Sequence, residues 1–452
     1  GNSPSSGASP DKSVAASGPL SPGPGGFGTE WTSYQGGALH GVLPGGGSFQ
    51  GARREGWTSP QLDEAVWAAP IVAGGQVIVA TENNTVYAFD AHGSGDWKPR
   101  WIRHLAAPVP AGDLPCGDVS PVAGIISTPV ADVAAQRLYV VAFQQPNHHH
   151  VLYTLNLGTG KVLKQVTVDP PGESTVAEQQ RGALRLANGY VYVPYGGLDG
   201  DCSQYHGWVM AAPTGGGDVL SFRPPVCPNG CPFWEPGGPT IGPDGDLWVT
   251  SGNSDGTPSA GPFDYSNAVF RLSPQLKLKD WFAPQDWRSQ SQQDLDLGDI
   301  SPVLLPGGLL VQVGKNGTAY LLRQDQLGKM GGAAGTGQAC GAWSAAVADG
   351  NRLYVPCWRP TGQVMALDVN PAGPSIASVA QRTIGLPGGL IVAYGAVWVM
   401  DPDAGRLEAL DPANLNVRFS TGGGGVQHFQ TAAAGNGHVF AVLGGRLVAV
   451  AA

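Results

Sequence analysis

Six cysteines are the residues of this 452-residue chain whose chemistry is easiest to foresee. None belongs to a Cys-x-x-Cys pair and no histidine lies at metal-ligand spacing from them, so a structural zinc site is not expected. In an exported protein their even number favours disulfides, although six cysteines allow fifteen connectivities. We favour three bonds: Cys116 with Cys202, Cys227 with Cys231, and Cys340 with Cys357. The second pair flanks a short turn, the third flanks a hairpin, and the first follows by elimination.

Three consecutive histidines, His148, His149 and His150, could bind a soft or borderline metal ion. Because consecutive residues on a strand point to opposite faces, the three imidazoles cannot all converge on one ion. We interpret the run as a solvated loop with adventitious metal binding. The chain has no Gly-x-Ser-x-Gly elbow, no His-Glu-x-x-His motif and no phosphate-binding loop, so the sequence does not support a hydrolase or a nucleotide-binding protein.

The composition favours many short strands joined by turns. There are 69 glycines and 39 prolines, and charged residues make up only 13% of the chain. A coiled coil or helical repeat would instead be rich in Ala, Glu, Lys and Leu. The 13 Trp, 12 Tyr and 12 Phe residues require a core, which argues against a disordered chain. With helical and disordered chains excluded, the composition predicts an all-β fold.

The charge pattern excludes two classes of partner. The formal net charge is −9 and no Lys/Arg cluster is present, so neither nucleic acid nor an anionic membrane surface is an expected partner. No apolar run approaches the roughly 20 residues that a spanning helix needs, so no transmembrane segment is expected.

Residues 1–28 consist almost entirely of Gly, Ser, Pro and Ala, a composition typical of a disordered tether. The first residue is not Met, which suggests that an upstream signal segment was removed. We therefore expect an extracytoplasmic protein, secreted or membrane-tethered and a candidate lipoprotein. Residues 29–452 should form a single domain, which we expect to be a monomer.

One pattern recurs eight times in this domain: a Gly turn, a small apolar residue, usually an aromatic residue, and Val. Six of the eight copies carry an aromatic residue at the middle position, and successive copies lie between 42 and 62 residues apart. The middle positions are Ile78, Tyr139, Tyr192, Trp248, Leu310, Tyr354, Trp398 and Phe440. Such a period indicates repeated supersecondary units.

Each unit predicts four antiparallel strands, and eight such units predict an eight-bladed β-propeller. The last unit lacks a fourth strand, because residues 445–452 form only a third one. Residues 52–60, which contain Trp57, read as the missing strand. We expect the N- and C-terminal strands to close the ring, which removes exposed sheet edges.

The predicted loops are unequal. Connections between first and second strands are short, whereas long insertions fall between second and third strands and between blades. In an up-and-down blade both long classes emerge on one face, which we call the loop-rich face; the opposite end is the turn face. We expect an axial binding site on the loop-rich face. Arg181 could reach this axis and bind an anion or bridge blades, while His206 and His428 are either ligands or structural histidines.

The repeats resemble those of the pyrroloquinoline-quinone (PQQ) propeller superfamily. Residues 86–90 (VYAFD) and 155–161 (LNLGTGK) are similar to its "VYALD…TGK" unit, and the resemblance covers nearly everything after Trp31. The chain is closer still to exported PQQ-binding-like propeller proteins of bacteria. The segments that carry this closer likeness are 114–121 (LPCGDVSP), 205–208 (YHGW), 294–298 (DLDLG) and 314–317 (GKNG).

In the quinoprotein alcohol dehydrogenases of this superfamily, PQQ lies on the axis beside a metal ion, and an Asp acts as general base. The resemblance implies Asp294 or Asp296 as that base, Asn253 and Asp201 as metal ligands, and Trp234 and Lys315 as quinone contacts. Ca²⁺ would suit such oxygen ligands. Each residue also has an ordinary structural interpretation. Asn253 and Lys315 could lie in turns, the aspartates could cap turns, and Trp234 could pack between blades.

Two hypotheses follow. The first is a non-catalytic exported propeller that binds a small molecule or a protein partner at the loop-rich face, with no cofactor required. The second is a PQQ- and metal-dependent alcohol or sugar dehydrogenase. The chain has no vicinal Cys-Cys pair and no haem-attachment motif, and contacts for the PQQ carboxylates are not recognisable. We therefore place the binding protein first.

Overall fold

The computed structural model describes residues 13–15, 30–45, 53–93, 97–422 and 424–452. Its strands form eight antiparallel blades around a central axis, which confirms the predicted eight-bladed propeller. Among the residues described, no helix is long and apolar enough to cross a membrane.

The strands of the first four blades, from the axis outward, are as follows. Blade 1 contains Ile71–Ala73, Gln76–Ala80, Thr85–Asp90 and Trp101–His104. Blade 2 contains Val130–Asp132, Arg137–Gln144, His149–Asn156 and Val162–Thr167. Blade 3 contains a two-part inner strand, Glu178–Gln179 and Arg185–Ala187, then Tyr190–Gly197, Trp208–Pro213 and Leu220–Phe222. Blade 4 contains Thr240–Ile241, Leu247–Thr250, Val269–Leu272, Leu278–Ala283 and an added parallel strand, Lys329–Met330.

The remaining blades repeat this order. Blade 5 contains Val303–Leu305, Leu309–Val313, Thr318–Arg323 and Gly335–Gln338. Blade 6 contains Gly341–Ala342 with Val347–Asp349, then Arg352–Arg359, Gln363–Asn370 and Ser375–Thr383. Blade 7 contains Ile391–Ala393, Ala396–Asp401, Arg406–Leu410 and Val417–Gly422. Blade 8 contains Ala433–Gly435, His438–Leu443, Arg446–Ala451 and the N-terminal strand Arg53–Thr58.

A few elements lie outside the blades. One two-stranded ladder joins Val109–Pro110 to Val122–Ala123. The α-helix and the three 3-10 helices are Trp287–Gln292, Tyr34–Leu39, Ala111–Asp113 and Pro306–Gly308. The predicted tether, residues 1–28, lies outside the described residues except for residues 13–15.

The ring closes as the sequence predicts. The N-terminal strand pairs with the last strand of the chain, and Trp57 lies opposite Ala449. The Trp57 ring is buried and stacks on Trp97, with ring centroids 4.8 Å apart. Closure therefore combines backbone pairing with the burial of a large aromatic side chain.

The core lies between the blades. The apolar cluster that includes Ile78 and Val86 of blade 1 also includes Leu138 and Val140 of blade 2. Further clusters join the other neighbouring blades in the same way. Strands that are buried on both faces, such as Gln76–Ala80, therefore carry nearly continuous apolar sequence.

The loops are unequal in length, as predicted. The disulfides lie on the loop-rich face. The first two strands of blade 1 are joined by Gly74 and Gly75, both with positive φ, which a two-residue hairpin turn requires. All three predicted disulfides are present on the loop-rich face; five of the six cysteines lie in connections, and Cys357 lies in the second strand of blade 6.

An axial plug made by the segment before blade 1 was not predicted. This segment is held by bridges from Trp31 to Val72 in blade 1 and from Val42 to Val392 in blade 7. Between these bridges, Ser33, Tyr34 and Gln35 are buried; we call these three residues the plug.

Tyr34 of the plug packs where the inner strands of several blades converge. It shares a cluster with Ala69, Ala183 and Ala345, from blades 1, 3 and 6. A Cβ added to Gly389 of blade 7 would lie 2.2 Å from the Tyr34 hydroxyl oxygen. Only small residues leave room for this ring, so the plug separates the two ends of the axis.

Candidate functional site

Four predicted residues meet on the loop-rich face between blades 4 and 5. The backbone N–H of Asn253 donates to Asp296 Oδ1 at 2.7 Å, and the Asn253 amide donates to Asp294 Oδ1 at 3.2 Å. Lys315 donates its backbone N–H to the Asp296 carbonyl oxygen, and its Nζ lies 3.3 Å from Asp294 Oδ2. The sequence segments 294–298 and 314–317 therefore do lie together, as the resemblance implied.

Glycines allow these loops to approach. A Cβ on Gly252 would lie 2.4 Å from Asp296 Oδ1, and one on Gly298 would lie 2.3 Å from the Thr250 carbonyl oxygen. Asn267 completes the arrangement, because its side chain donates to Asn253 Oδ1 at 3.1 Å. The Gly252–Asn253 dipeptide thus has a local structural role in this chain.

The charges of this cluster differ in exposure. The Asp294 side chain is 75% exposed, whereas that of Lys315 is only 4% exposed. Burial raises the pKa of Asp296 above its ordinary value, against the opposing effect of the Asn253 N–H. Burial also raises the pKa of Asp299, and the charge of Asp296 adds to that rise. A raised carboxyl pKa is typical of a general base, but burial alone is a sufficient cause.

A row of stacked side chains begins at Lys315 and runs across blades. Its Nζ lies 4.8 Å from the Trp343 ring centroid. Trp343 stacks on Trp358 at 4.3 Å between centroids, and Trp358 stacks on Phe429 at 5.5 Å with an interplanar angle of 4°. The Arg181 guanidinium lies 5.1 Å from the Phe429 centroid. We call these five residues the axial row.

Arg181 ends the row with further contacts. Its guanidinium lies 5.3 Å from the Trp67 ring centroid and donates to Asp118 Oδ1 at 3.0 Å. The Arg181 side chain is only 9% exposed. The exposed His428 ring packs edge-on against Trp358, with centroids 5.5 Å apart. Because its members come from blades 3, 5 and 6 and the connection into blade 8, the row extends across the axial end of the loop-rich face.

The other predicted residues bond to different partners, although the charge of Asp201 adds to the raised pKa of Asp296. Asp201 Oδ1 accepts a hydrogen bond from the Tyr205 hydroxyl at 2.5 Å, and burial raises the pKa of Asp201. His206 is engaged at both ring nitrogens, with Nδ1 2.6 Å from Glu173 Oε1 and Nε2 3.1 Å from the Pro228 carbonyl oxygen. These contacts indicate that His206 has a structural role.

Trp234 and the histidine run also lie apart from the row. Trp234 packs over Gly196, where an added Cβ would lie 3.5 Å from the indole ring. His148 contacts Asp113, whereas His149 and His150 share Asp169.

The metal and quinone roles that the resemblance implies for these residues stay predictions. Within the described ranges, no three His, Cys, Asp or Glu side chains are close enough to hold one ion. The side-chain oxygens of Asn253 and Asp201, the two residues implied as metal ligands, each accept a hydrogen bond from a different protein group. Trp343 and Trp358, with ring centroids 4.3 Å apart, leave no room between them for a third flat ring, which would need about 7 Å.

Sequence reasoning missed the aromatic members of the row. Trp343 and Trp358 each lie close to a cysteine of the Cys340–Cys357 disulfide. A tryptophan that follows a disulfide cysteine at a strand end was a usable signal, because the disulfide fixes the loop that carries it. Phe429 and Trp67 carried no comparable signal.

Comparisons with known proteins agree on the fold. The family profile described as outer membrane protein assembly factor BamB matches residues 54–196. No curated protein sequence matches the chain.

Three solved structures are similar over most of the chain. The quinohemoprotein alcohol dehydrogenase from Comamonas testosteroni has a TM-score of 0.68 and 15% identity, over 93% of this chain and 80% of that one. The quinohemoprotein alcohol dehydrogenase ADHIIG from Pseudomonas putida HK5 has a TM-score of 0.67 and 14% identity, over the same shares. BamB from Moraxella catarrhalis has a TM-score of 0.60 and 11% identity, over 88% of this chain and 99% of that one. Such low identities bear on the fold alone. The chain is therefore an eight-bladed β-propeller, and residues 54–196 match the BamB family profile.

Proposed function

We propose that this chain is a non-catalytic binding protein that holds a protein partner on the loop-rich face around the axis. The observation that carries this proposal is the axial row. Its rings and cations pack on one another, so they present a firm surface in place of a catalytic pocket. Half-buried aromatic residues on a rigid scaffold are typical of protein-binding surfaces.

A protein partner is favoured over a small molecule. The matching family profile is named for an assembly factor, and a BamB structure shares the fold. A small ligand would have to bind beside the row, because the stacked rings leave no slot between them. The three disulfides support an extracytoplasmic location, secreted or membrane-tethered. The proposed working state is a monomer.

Photocrosslinking in the native host tests the partner. A photoreactive amino acid at His428, which is exposed beside the row, should give crosslinks to one protein. The matched control is position 414, an exposed asparagine on the turn face, which should give none. Equal crosslinking from both positions, or from neither, contradicts the proposal.

The second candidate is the PQQ- and metal-dependent alcohol or sugar dehydrogenase. One observation favours it: Asp296 is a buried carboxyl with a raised pKa beside Lys315. Addition of excess PQQ and Ca²⁺ distinguishes the candidates, because a ligand that binds the folded state raises the melting temperature. We expect no rise and no quinone absorption band. A clear rise that Asn253→Ala and Asp296→Ala abolish would reverse the ranking.

A further inference from the structure

The turn face carries a large funnel that the sequence did not predict. Its volume is about 1220 Å³, and it lies between the inner strand ends of blades 2 to 6 and the segment that carries the plug. Ser33 and Gln35 of the plug line it. Much of the remaining wall is apolar and includes Leu39, Ile241 and Leu304. The funnel is somewhat larger than the roughly 300–1,000 Å³ that is typical of small-molecule sites, and its wall combines apolar and ionisable residues.

Arg185 is the cation of this funnel. It is buried and lines the cavity from the inner strand of blade 3. Its guanidinium donates to the backbone carbonyl oxygens of Pro239 at 3.0 Å, of Tyr34 at 2.8 Å, and of Gly237. Burial lowers the pKa of Arg185 to about 10, so it stays charged at neutral pH.

Among the described residues, the partners of this buried charge are backbone carbonyl oxygens. In the described part of the chain, no carboxylate forms an ion pair with Arg185. The three carbonyl bonds use three of the five N–H groups of a guanidinium. A buried cation without an anion is unfavourable in an apolar site, so a bound anion would stabilise this arrangement.

The other ionisable groups of the funnel limit the negative charge that a bound anion can carry. Glu30, Asp132 and Asp349 line it as well and repel additional negative charge. His40 also lines the funnel, and burial together with the Arg185 charge lowers its pKa to about 4. His40 is therefore neutral at pH 7 and adds no second cation. A ligand with one anionic group and an uncharged body suits this set.

We propose that the funnel on the turn face binds an apolar monocarboxylate, with its carboxylate at Arg185 and its hydrocarbon body along the apolar wall. This site is separate from the partner surface on the loop-rich face, because the plug lies between the two. It is therefore tested independently of the proposed function.

Titration calorimetry of the full chain with three ten-carbon probes tests the ligand chemistry. Decanoate should bind saturably at submicellar concentration. Decanol should bind at least about ten-fold more weakly, because it lacks the charge-assisted hydrogen bonds to Arg185. Decanedioate should also bind more weakly than decanoate, because its second carboxylate meets the apolar wall and the acidic groups. Equal affinity for decanol, or no decanoate binding, overturns the proposal.

Variants locate the site. Arg185→Met removes the cation but also releases Tyr34 of the plug, so this variant is informative only if it folds. Ala348→Trp fills the funnel from its wall and leaves the Arg185 hydrogen bonds intact. We expect decanoate affinity to fall at least about ten-fold in Ala348→Trp. Ala413→Trp, exposed on the turn face outside the funnel, should bind as the native chain does. Unchanged decanoate binding by Ala348→Trp overturns the proposal.

Discussion

The two ends of the propeller axis contrast in a way that loop length does not explain. The loop-rich face has long insertions and three disulfides, yet stacked rings and cations extend across its axial end. The turn face has short connections, yet it holds a funnel of about 1220 Å³. Long loops bring large side chains towards the axis, where they pack on one another. The position of a cavity in this propeller therefore depends on how side chains pack at the axis and not on the length of the loops.

The plug keeps these two ends different. Tyr34 shares a hydrogen bond of 2.6 Å with Thr431 Oγ1, and Gln35 donates to the carbonyl oxygens of Ala346 and Leu390. Arg185 donates to the Tyr34 carbonyl oxygen. The plug thus ties blades 3, 6, 7 and 8 together, and it separates the funnel from the row.

Removal of the plug side chain should have the largest effect on this contrast. Tyr34→Ala should lower the free energy of unfolding by about 3–5 kcal/mol, because it removes a fully packed ring from the axis. Tyr34→Phe should lower the free energy of unfolding by only about 1 kcal/mol, because it loses only the hydrogen bond to Thr431. Chemical denaturation measures both values. Similar losses in the two variants would mean that the ring does not hold the blades together.

Truncation in the middle of the axial row should have an intermediate effect. Trp358→Ala should lower the free energy of unfolding by about 2–3 kcal/mol, because Trp358 is half-buried and stacks on a ring at each face. Trp358→Phe keeps the stacking and loses only the bond from Nε1 to the Pro387 carbonyl oxygen, at a cost of about 1 kcal/mol. Denaturation midpoints compare the two. No loss in the alanine variant would show that the row is loosely packed.

A pH dependence is expected from buried carboxyls near the loop-rich face. Burial raises the pKa values of Glu82, Glu178 and Glu235 well above their ordinary value. An unfolded glutamate has a pKa of about 4.3, so above that pH the unfolded state releases protons that the folded state keeps. The free energy of unfolding should therefore fall as the pH rises from about 4.3 towards the raised pKa values.

Denaturation at pH 5 and pH 8 measures this slope. Glu235→Gln should reduce it, because the amide keeps an acceptor for the Thr250 backbone N–H and does not titrate. Asp325→Asn, at an exposed turn position, should leave the slope unchanged. A slope that Glu235→Gln does not alter would assign the pH dependence to other groups.

Several elements could be predicted because their signals are local. The aromatic repeat placed the second strand of every blade, from Ile78 to Phe440, since a strand buried on both faces reads as a short apolar run. Trp57 marked the N-terminal strand of blade 8, and the turn and hairpin spacing of the cysteines gave two disulfides directly. Asn253, Asp296 and Lys315, which the resemblance assigned to one site, lie in contact in the structure, and the roles implied for them stay predictions.

The sequence by itself determined the strands, the eightfold repeat and two of the disulfides, because each depends on residues near one another in a unit or on a repeated pattern. The closing strand and the Cys116–Cys202 bond were inferred as what the repeat and the other cysteines left over. Only the tertiary structure decided what occupies the axis. The plug at Tyr34, the row from Lys315 to Arg181 and the funnel at Arg185 combine side chains from blades far apart in the chain. Their contacts depend on how eight blades converge, and no local periodicity encodes that convergence.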